Sequence, residues 1–261
     1  MDQHEVRQHW EANATTWAKL ARAGHDRYRD HLNTPGFLAL LPEVRGLVGL
    51  DIGCGEGHNT RLLARERGAR MHAIDFAETF IRLAREEEER DPLGIRYQHA
   101  SATALPFDDA AFDFATSFMC FMDFAETDRA LAEAHRVIRP GGFLQFSITH
   151  PCFDTPHRRN VRDADGQVYA VEVGRYFEPV EGEIAEWTFS SSPPELRAER
   201  PKFRVPYFRR TLSQWVNMVV AAGFTIEAMH EPCPDRETVA LHPEVADAIP
   251  VAYFLHVRVR K

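Results

Sequence analysis

The chain has 261 residues, 44% of them apolar and 27% charged, with a formal net charge of −8. That is the balance of an ordinary globular protein, long enough for one large α/β domain or a domain with a sizeable insertion. The negative balance argues against a nucleic-acid partner, whose binding relies on Lys and Arg neutralising phosphates. No apolar run approaches the ~20 residues a bilayer span requires, and the polar start MDQHEVRQHW has no signal-peptide pattern. The cysteines, at 54, 120, 152 and 233, lack CxxC spacing. A reduced, cytoplasmic chain with no membrane partner is the expectation. Histidines and carboxylates are spread too evenly for a usual ligand cluster, so no metal is expected.

In chain order, residues 1–45 read as a helical cap, with Trp10, Trp17 and Leu20 at helical spacing and a second apolar stripe from Phe37 to Leu41. Strands are predicted at 47–52, 71–75, 94–99, 112–118 and 142–149, alternating with helices at about 57–67, 77–89 and 126–138. The run Glu86–Glu89 reads as a solvated helix end, and Arg139-Pro140-Gly141-Gly142 as a helix stop followed by a turn. A helix over 211–222 starts at a Thr or Ser cap and ends at Gly223, and strands near 224–230 and 251–259 complete the count. Alternating βα units with short links predict a doubly wound, mostly parallel seven-stranded α/β sheet, with residues 46–150 as its main body and 211–261 completing it. Residues 151–210 lack a helical period but are rich in aromatics, and alternations such as GQVYAVEV and EIAEWTFS predict a small antiparallel subdomain. Inserted at the carboxyl edge of the sheet, it is expected to cover a substrate, with the N-terminal helices closing the other side.

The richest signal is Leu47–Gly57, LVGLDIGCGEG, with Asp75 ending the next apolar run. A strand that opens into alternate glycines and then a helix brings bare backbone and unpaired N–H groups against a ligand. A second strand ending in a carboxylate sets an acceptor beside a ribose, which points to an adenosine-containing cofactor. The spacing is GxGxG, with His58 where the dinucleotide fingerprint wants a third glycine, and there is no GxxxxGK[ST] string. Glu56 would repel a pyrophosphate but tolerate a ligand bearing a sulfonium and an ammonium.

LDIGCGEG followed by AIDF resembles motif I and the acidic loop of the class I S-adenosylmethionine-dependent methyltransferases. The likeness continues through ALPFDDAAFDFATS (104–117) and HRVIRPGGFL (135–144), covering roughly residues 45–150 in order. The resemblance implies a Rossmann-like fold with an antiparallel last strand, S-adenosyl-L-methionine as cofactor, and methyl transfer. It implies that Gly53, Cys54, Gly55, Gly57 and Asn59 surround the amino-acid moiety, that Asp51 orients it, and that Asp75 accepts from the ribose. Phe76 would pack on the adenine, while Ser117 and Phe118 would lie beside the sulfonium and ribose. Members of this type carry an acidic residue where Ser101 stands; here its hydroxyl and the Ala102 N–H would meet the adenine.

Methyl transfer is an in-line displacement, so alignment is the main task. His150, at the carboxyl edge in SITHPCF, is the leading candidate for a general base, Pro151 fixing the exit direction. Asp123, Asp154, His157 and Tyr207 are further candidates. The expected acceptor is a small molecule, aromatic or amphipathic. An NAD-dependent oxidoreductase, a protein-modifying methyltransferase and a non-catalytic cofactor sensor are the competing readings. Cys152 as an RNA cytosine-C5 nucleophile is disfavoured by TSFMCF after strand 4, and no [DNS]PP[YF] of the exocyclic-amine enzymes is present.

Overall fold

The computed structural model describes residues 1–189, 191–192 and 202–261. Part of the predicted substrate cover, residues 190 and 193–201, lies outside the described residues. The N-terminal segment forms α1 (Gln3–Arg22), a π-helical turn (Arg29–Asn33) and α2 (Thr34–Leu40). Asp2 starts α1 with a capping box, its carboxylate taking the Glu5 N–H while the Glu5 side chain takes the Asp2 N–H. Then follow β1 (Val48–Ile52), α3 (His58–Arg65), β2 (Arg70–Asp75), α4 (Glu78–Arg90) and β3 (Arg96–His99). The second half of the core has β4 (Phe112–Phe118), a 3-10 turn (Phe121–Asp123), α5 (Thr127–Val137) and β5 (Ile138–Thr149).

Seven strands form one sheet in the order β10-β11-β5-β4-β1-β2-β3, where β10 is Thr225–His230 and β11 is Phe254–Arg260. β1 runs parallel to both β2 and β4, whereas β11 is antiparallel to β5 and β10. The order reverses between β1 and β4, and such a switch point opens a crevice beyond the carboxyl ends of the strands. The sheet is buried on both faces, as a parallel sheet requires. Leu50, Ile52, Leu131 and Phe146 belong to one core, and Phe37, Leu63, Met71 and Phe114 to the other. An inner polar network ties the π-turn to the sheet: His256 meets Asn33 Oδ1 at 2.7 Å, and Asn33 donates to Ser147 Oγ at 3.4 Å. Burial pushes the His256 imidazolium down to about 3, so this ring is neutral.

The turn expected at Arg139–Gly142 is corrected. α5 does stop at Val137, but β5 starts at once and Gly141, at φ +78°, only kinks it. The reason is a distant pairing: the Gly141 N–H goes to the Lys261 carbonyl, and the Lys261 N–H to the Gly142 carbonyl. The inserted segment also differs from the single subdomain expected. It forms two separate hairpins, β6 (His157–Arg162) with β7 (Val168–Gly174), and β8 (Val180–Trp187) with β9 (Phe203–Arg209). Composition explains the split. The sequence HRRNVR gives β6 a single apolar residue, Val161, and the strand reaches Asp247 through Asn160 and Arg162. The second hairpin carries its aromatics onto α1, where Trp17 meets Trp187, Phe189 and Phe203, each with ring centroids 5.0 Å away.

The helix α6 (Leu212–Ala221) has Thr211 as its cap, in a capping box with Gln214. A short α7 (Arg236–Leu241) and a 3-10 turn (Pro243–Ala248) stand in a stretch given no element from sequence. No described helix is long and apolar enough to cross a membrane. Since Trp17 is the junction between α1 and the second hairpin, Trp17→Ala should cost about 3 kcal/mol, read as a lower urea midpoint with an unchanged slope.

Candidate cofactor and acceptor site

A cavity of about 590 Å³ lies above the carboxyl ends of β1, β2, β4 and β5, under the N-terminal segment and the second hairpin. Its floor is the bend after β1. The N–H groups of Gly53 and Cys54 both donate to the Ile74 carbonyl at 2.9 Å, folding the bend onto the end of β2. Gly53 and Gly55 are needed for different reasons. Both have positive φ (+74° and +55°), but a Cβ on Gly53 would stand 2.0 Å from Cys120 Sγ, whereas one on Gly55 would meet nothing within 4 Å. Gly53 is therefore a packing glycine. Gly55 is open on the side that lines the cavity.

Asp75 reaches back to this bend. One carboxylate oxygen accepts from Gly55 N–H at 2.9 Å and the other from Ala77 N–H at 2.9 Å. Burial pushes its carboxyl up to about 6, partly opposed by those two hydrogen bonds. Asp51 accepts from the Thr60 hydroxyl and, at 3.0 Å, from that of Thr116, its β4 neighbour in register. Its carboxyl is likewise raised to about 6 by burial. Each carboxylate keeps unused lone pairs, since an ionised carboxyl offers about four acceptor sites.

Glu56 is buried beside the bend. Arg22 Nε donates to Oε2 at 2.8 Å, but Oε1 has no hydrogen-bond partner, its nearest cation being Arg29 at 3.5 Å. Asp26 also lines the wall with its carboxyl raised to about 6, by burial first. Acidic groups thus crowd the β1 end of the cavity. Glu56 is balanced by Arg22 and Arg29, so it is Asp51, Asp75 and Asp26 that favour a ligand carrying positive charge there.

Of the residues singled out from sequence, Asp51, Gly53, Cys54, Gly55, Asn59, Asp75, Phe76, Phe118, Asp123 and Tyr207 line this one cavity. Others do not. Gly57 turns away, its N–H bonded to the Cys54 carbonyl at 3.1 Å. The Ser117 hydroxyl donates to the Ile52 carbonyl at 2.9 Å, because neighbouring strand residues face opposite sides and Phe118 takes the cavity side. Ser101 closes a local turn with Thr103 at 2.8 Å, and Ala102 is packed in the core. Asp154 pairs with Arg209 at 3.3 Å and His157 with Glu172 at 2.7 Å, both outside the lining.

His150 also lies outside the lining, contrary to its place at the sheet edge. Its Nδ1 accepts the Cys152 N–H at 3.2 Å, which leaves Nε2 to carry the ring proton toward Glu231 at 2.7 Å. That tautomer has no free lone pair, so the ring holds the chain exit in place. Asp123 is the buried carboxyl on the acceptor side, pushed well above the usual range by burial, with Asp154 adding to it. Tyr207 faces the same space, and burial suppresses ionisation of its phenol.

The cavity also holds residues the sequence reading did not select, among them Asp26, Tyr28, Arg29, Cys120, Arg158 and Tyr253. The string HDRYR at 25–29 was the available signal: charge and aromatics packed together between two helices. Cys54 and Cys120 both lie here with thiols raised well above their ordinary range by burial, which keeps them unreactive.

Two outcomes follow. Gly55→Ala should cost only the positive-φ strain, about 1–2 kcal/mol, whereas Gly53→Ala should cost clearly more, as compared by thermal melts of the two variants. For Asp75, a raised native value means the folded state holds the proton more tightly than the unfolded chain between pH 4 and 6. Its contribution to stability therefore falls as pH rises through that window, by about 3 kcal/mol. Asp75→Asn removes this term, so the stability of the variant relative to the parent should improve from pH 4 to pH 7 in urea titrations.

The comparisons with known proteins converge on the same stretch of chain. A family model described as "Methyltransferase domain" matches residues 50–146. The demethylmenaquinone methyltransferase of Thermus thermophilus is 41% identical over 97 residues, 36% of this chain and 44% of that protein. The malonyl-[acyl-carrier protein] O-methyltransferase of Pectobacterium atrosepticum is 34% identical over 125 residues, 47% of each. The chain spans less than half the length of these curated relatives. A crystal structure of an S-adenosylmethionine-dependent methyltransferase from Mesorhizobium loti superposes with a TM-score of 0.70 at 28% identity, covering 87% of this chain and 96% of that one. The glycine bend, the carboxylate that grips it and the strand order around them fall within or beside the matched residues. Residues 50–146 thus match a methyltransferase domain, and the chain shares its fold with S-adenosylmethionine-dependent methyltransferases.

Proposed function

We propose that this chain transfers a methyl group from S-adenosylmethionine to a small acceptor held in the same cavity. The observation that carries the reading is the junction of the Gly55 N–H with the Asp75 carboxylate at the floor of one enclosed space. The residues fit the cofactor. Gly55 leaves backbone bare where the amino-acid tail would lie, and Asp51 beside it keeps acceptor capacity for the ammonium. Asp75 has lone pairs left for the ribose hydroxyls, and Phe76 offers a ring beside it. A bound S-adenosylmethionine supplies a methyl on a sulfonium sulfur, already activated toward a nucleophile.

The remaining work falls to the protein. Asp51, Asp75 and Asp26 favour a cationic ligand and disfavour a pyrophosphate, which weighs against the NAD-dependent oxidoreductase. The cover contributed by α1 and the second hairpin favours a free small molecule over a side chain of another protein. One matched relative is named for demethylmenaquinone, which agrees with a small-molecule acceptor, and another for malonyl-[acyl-carrier protein], a small group borne on a carrier protein. Asp123 takes the proton of the acceptor heteroatom; a buried carboxyl with a raised affinity for protons is matched to that task. Tyr207 donates a hydrogen bond to the same atom. His150 is a positioning residue at the exit from β5.

Calorimetry should show S-adenosylhomocysteine binding with NAD silent, and binding of NAD alone would overturn the reading. With an acceptor returned by a screen of soluble metabolites, Asp123→Asn should lower turnover about 100-fold. Cofactor affinity should be retained, and the acid limb of the pH–rate profile should vanish. An unchanged rate would remove Asp123 from the mechanism.

A further inference from the structure

Three arginines line the cavity: Arg27, Arg29 and Arg158. Two are already neutralised. Arg27 faces Glu244 at 3.3 Å, and Arg29 is held by Asp30 at 2.7 Å and Glu56 at 3.5 Å. Arg158 has neither an ion pair nor a side-chain hydrogen bond among the described residues. Its neighbours on the same hairpin do: His157 and Arg159 share Glu172, and Arg162 pairs with Asp247. Alternation along β6 separates them, placing Arg158 on the cavity side and His157 and Arg159 on the exposed side.

Arg158 is nonetheless held in place. Its guanidinium lies 4.6 Å over the Tyr253 ring, which stacks on Tyr28 at 5.4 Å, and Tyr28 is anchored by its hydroxyl to the Glu244 carbonyl at 2.9 Å. Asp247, the acid whose field reaches Tyr28, is already taken by Arg162 and Asn160. A fixed guanidinium with five unused donors at the wall of an enclosed cavity is a seat for an anion. The shelf is remote from the bend where the cofactor's amino-acid tail would lie. Tyr253 and Phe254 adjoin β11, three strands from β1 in the sheet, which puts this corner on the order of 14 Å from the glycine bend. Phe118 and Met119, at the end of β4 between β1 and β11, give an apolar wall suited to a flat ring.

Resting on the methyl-transfer reading, we propose that the acceptor is an aromatic acid whose carboxylate or phosphate is seated on Arg158 at the Tyr28–Tyr253 shelf. Its ring lies along the apolar wall and its nucleophile faces Asp123. The seat sorts acceptors by charge before any methyl moves.

The test uses the full chain saturated with S-adenosylhomocysteine, whose binding is measured first. If that ligand fails to bind, the methyl-transfer reading falls by itself. Benzoate, 4-hydroxybenzoate and phenyl phosphate are then titrated against benzamide, 4-hydroxybenzamide and phenol. At least one anion should bind about 10- to 100-fold tighter than its neutral match, and the carboxylate and phosphate arms tell which anion fits. Arg158→Gln should abolish the preference, Arg158→Lys should keep a weaker one, and Arg162→Gln should leave it intact. S-adenosylhomocysteine affinity in Arg158→Gln should stay within about twofold, the scatter expected for a distant site. The proposal is overturned if no anion binds in the millimolar range, or if Arg158→Gln keeps the preference. A parallel loss of cofactor affinity would place Arg158 in the cofactor site and overturn it as well.

Discussion

The contact between the Gly55 N–H and the Asp75 carboxylate sets the spacing of everything above the sheet. It ties the bend after β1 to the end of β2, so the two places that would hold a nucleoside and an amino-acid tail cannot drift apart. The same carboxylate holds the Ala77 N–H at the start of α4. One buried acid thus fixes two strand ends and a helix entry. Its cost is desolvation, visible in a carboxyl raised to about 6, and the two N–H donors offset only part of it. Further hydrogen-bond donors at its remaining lone pairs, such as ribose hydroxyls, would supply the missing compensation.

The seven core strands and the glycine bend were legible in the sequence because their signals are local. Apolar runs, alternate glycines and a terminal Asp can be read within a few residues. Ser117 and His150 show where such reading fails. Both stand at strand ends, as expected, yet a strand end gives no direction for the side chain. Ser117 bonds the β1 backbone while its neighbour Phe118 takes the cavity side. His150 is claimed by Cys152 and by Glu231, a residue 81 positions away. The partners of Glu56 are 34 residues distant at Arg22, and Arg158 meets Tyr253 from another element altogether. No local pattern encodes those pairings.

The cover over the site is composite for a similar reason. Trp17 of α1 is the common neighbour of Trp187, Phe189 and Phe203, so the N-terminal helix completes the apolar cluster of the second hairpin. Trp10 in turn meets both Trp17 and Phe80 of α4. The wall of the cavity is thereby completed by segments far apart in sequence. Aromatic pairs of this kind add about 0.5–1.5 kcal/mol each beyond the area they bury.

Charge divides the cavity as packing does. Asp51, Glu56 and Asp75 cluster at the β1 bend, while the only lining arginine without an acidic partner among the described residues stands at the β11 corner. In water this separation would count for little, but an enclosed apolar space has a lower effective dielectric and carries the field further. A ligand with its positive end at the bend is favoured by the same arrangement that favours a negative end at Arg158. Two molecules so oriented would meet in the middle, beside Asp123 and Tyr207. The charge separation across the cavity would thus favour one relative orientation of cofactor and acceptor, the precondition that positioning demands of a group transfer.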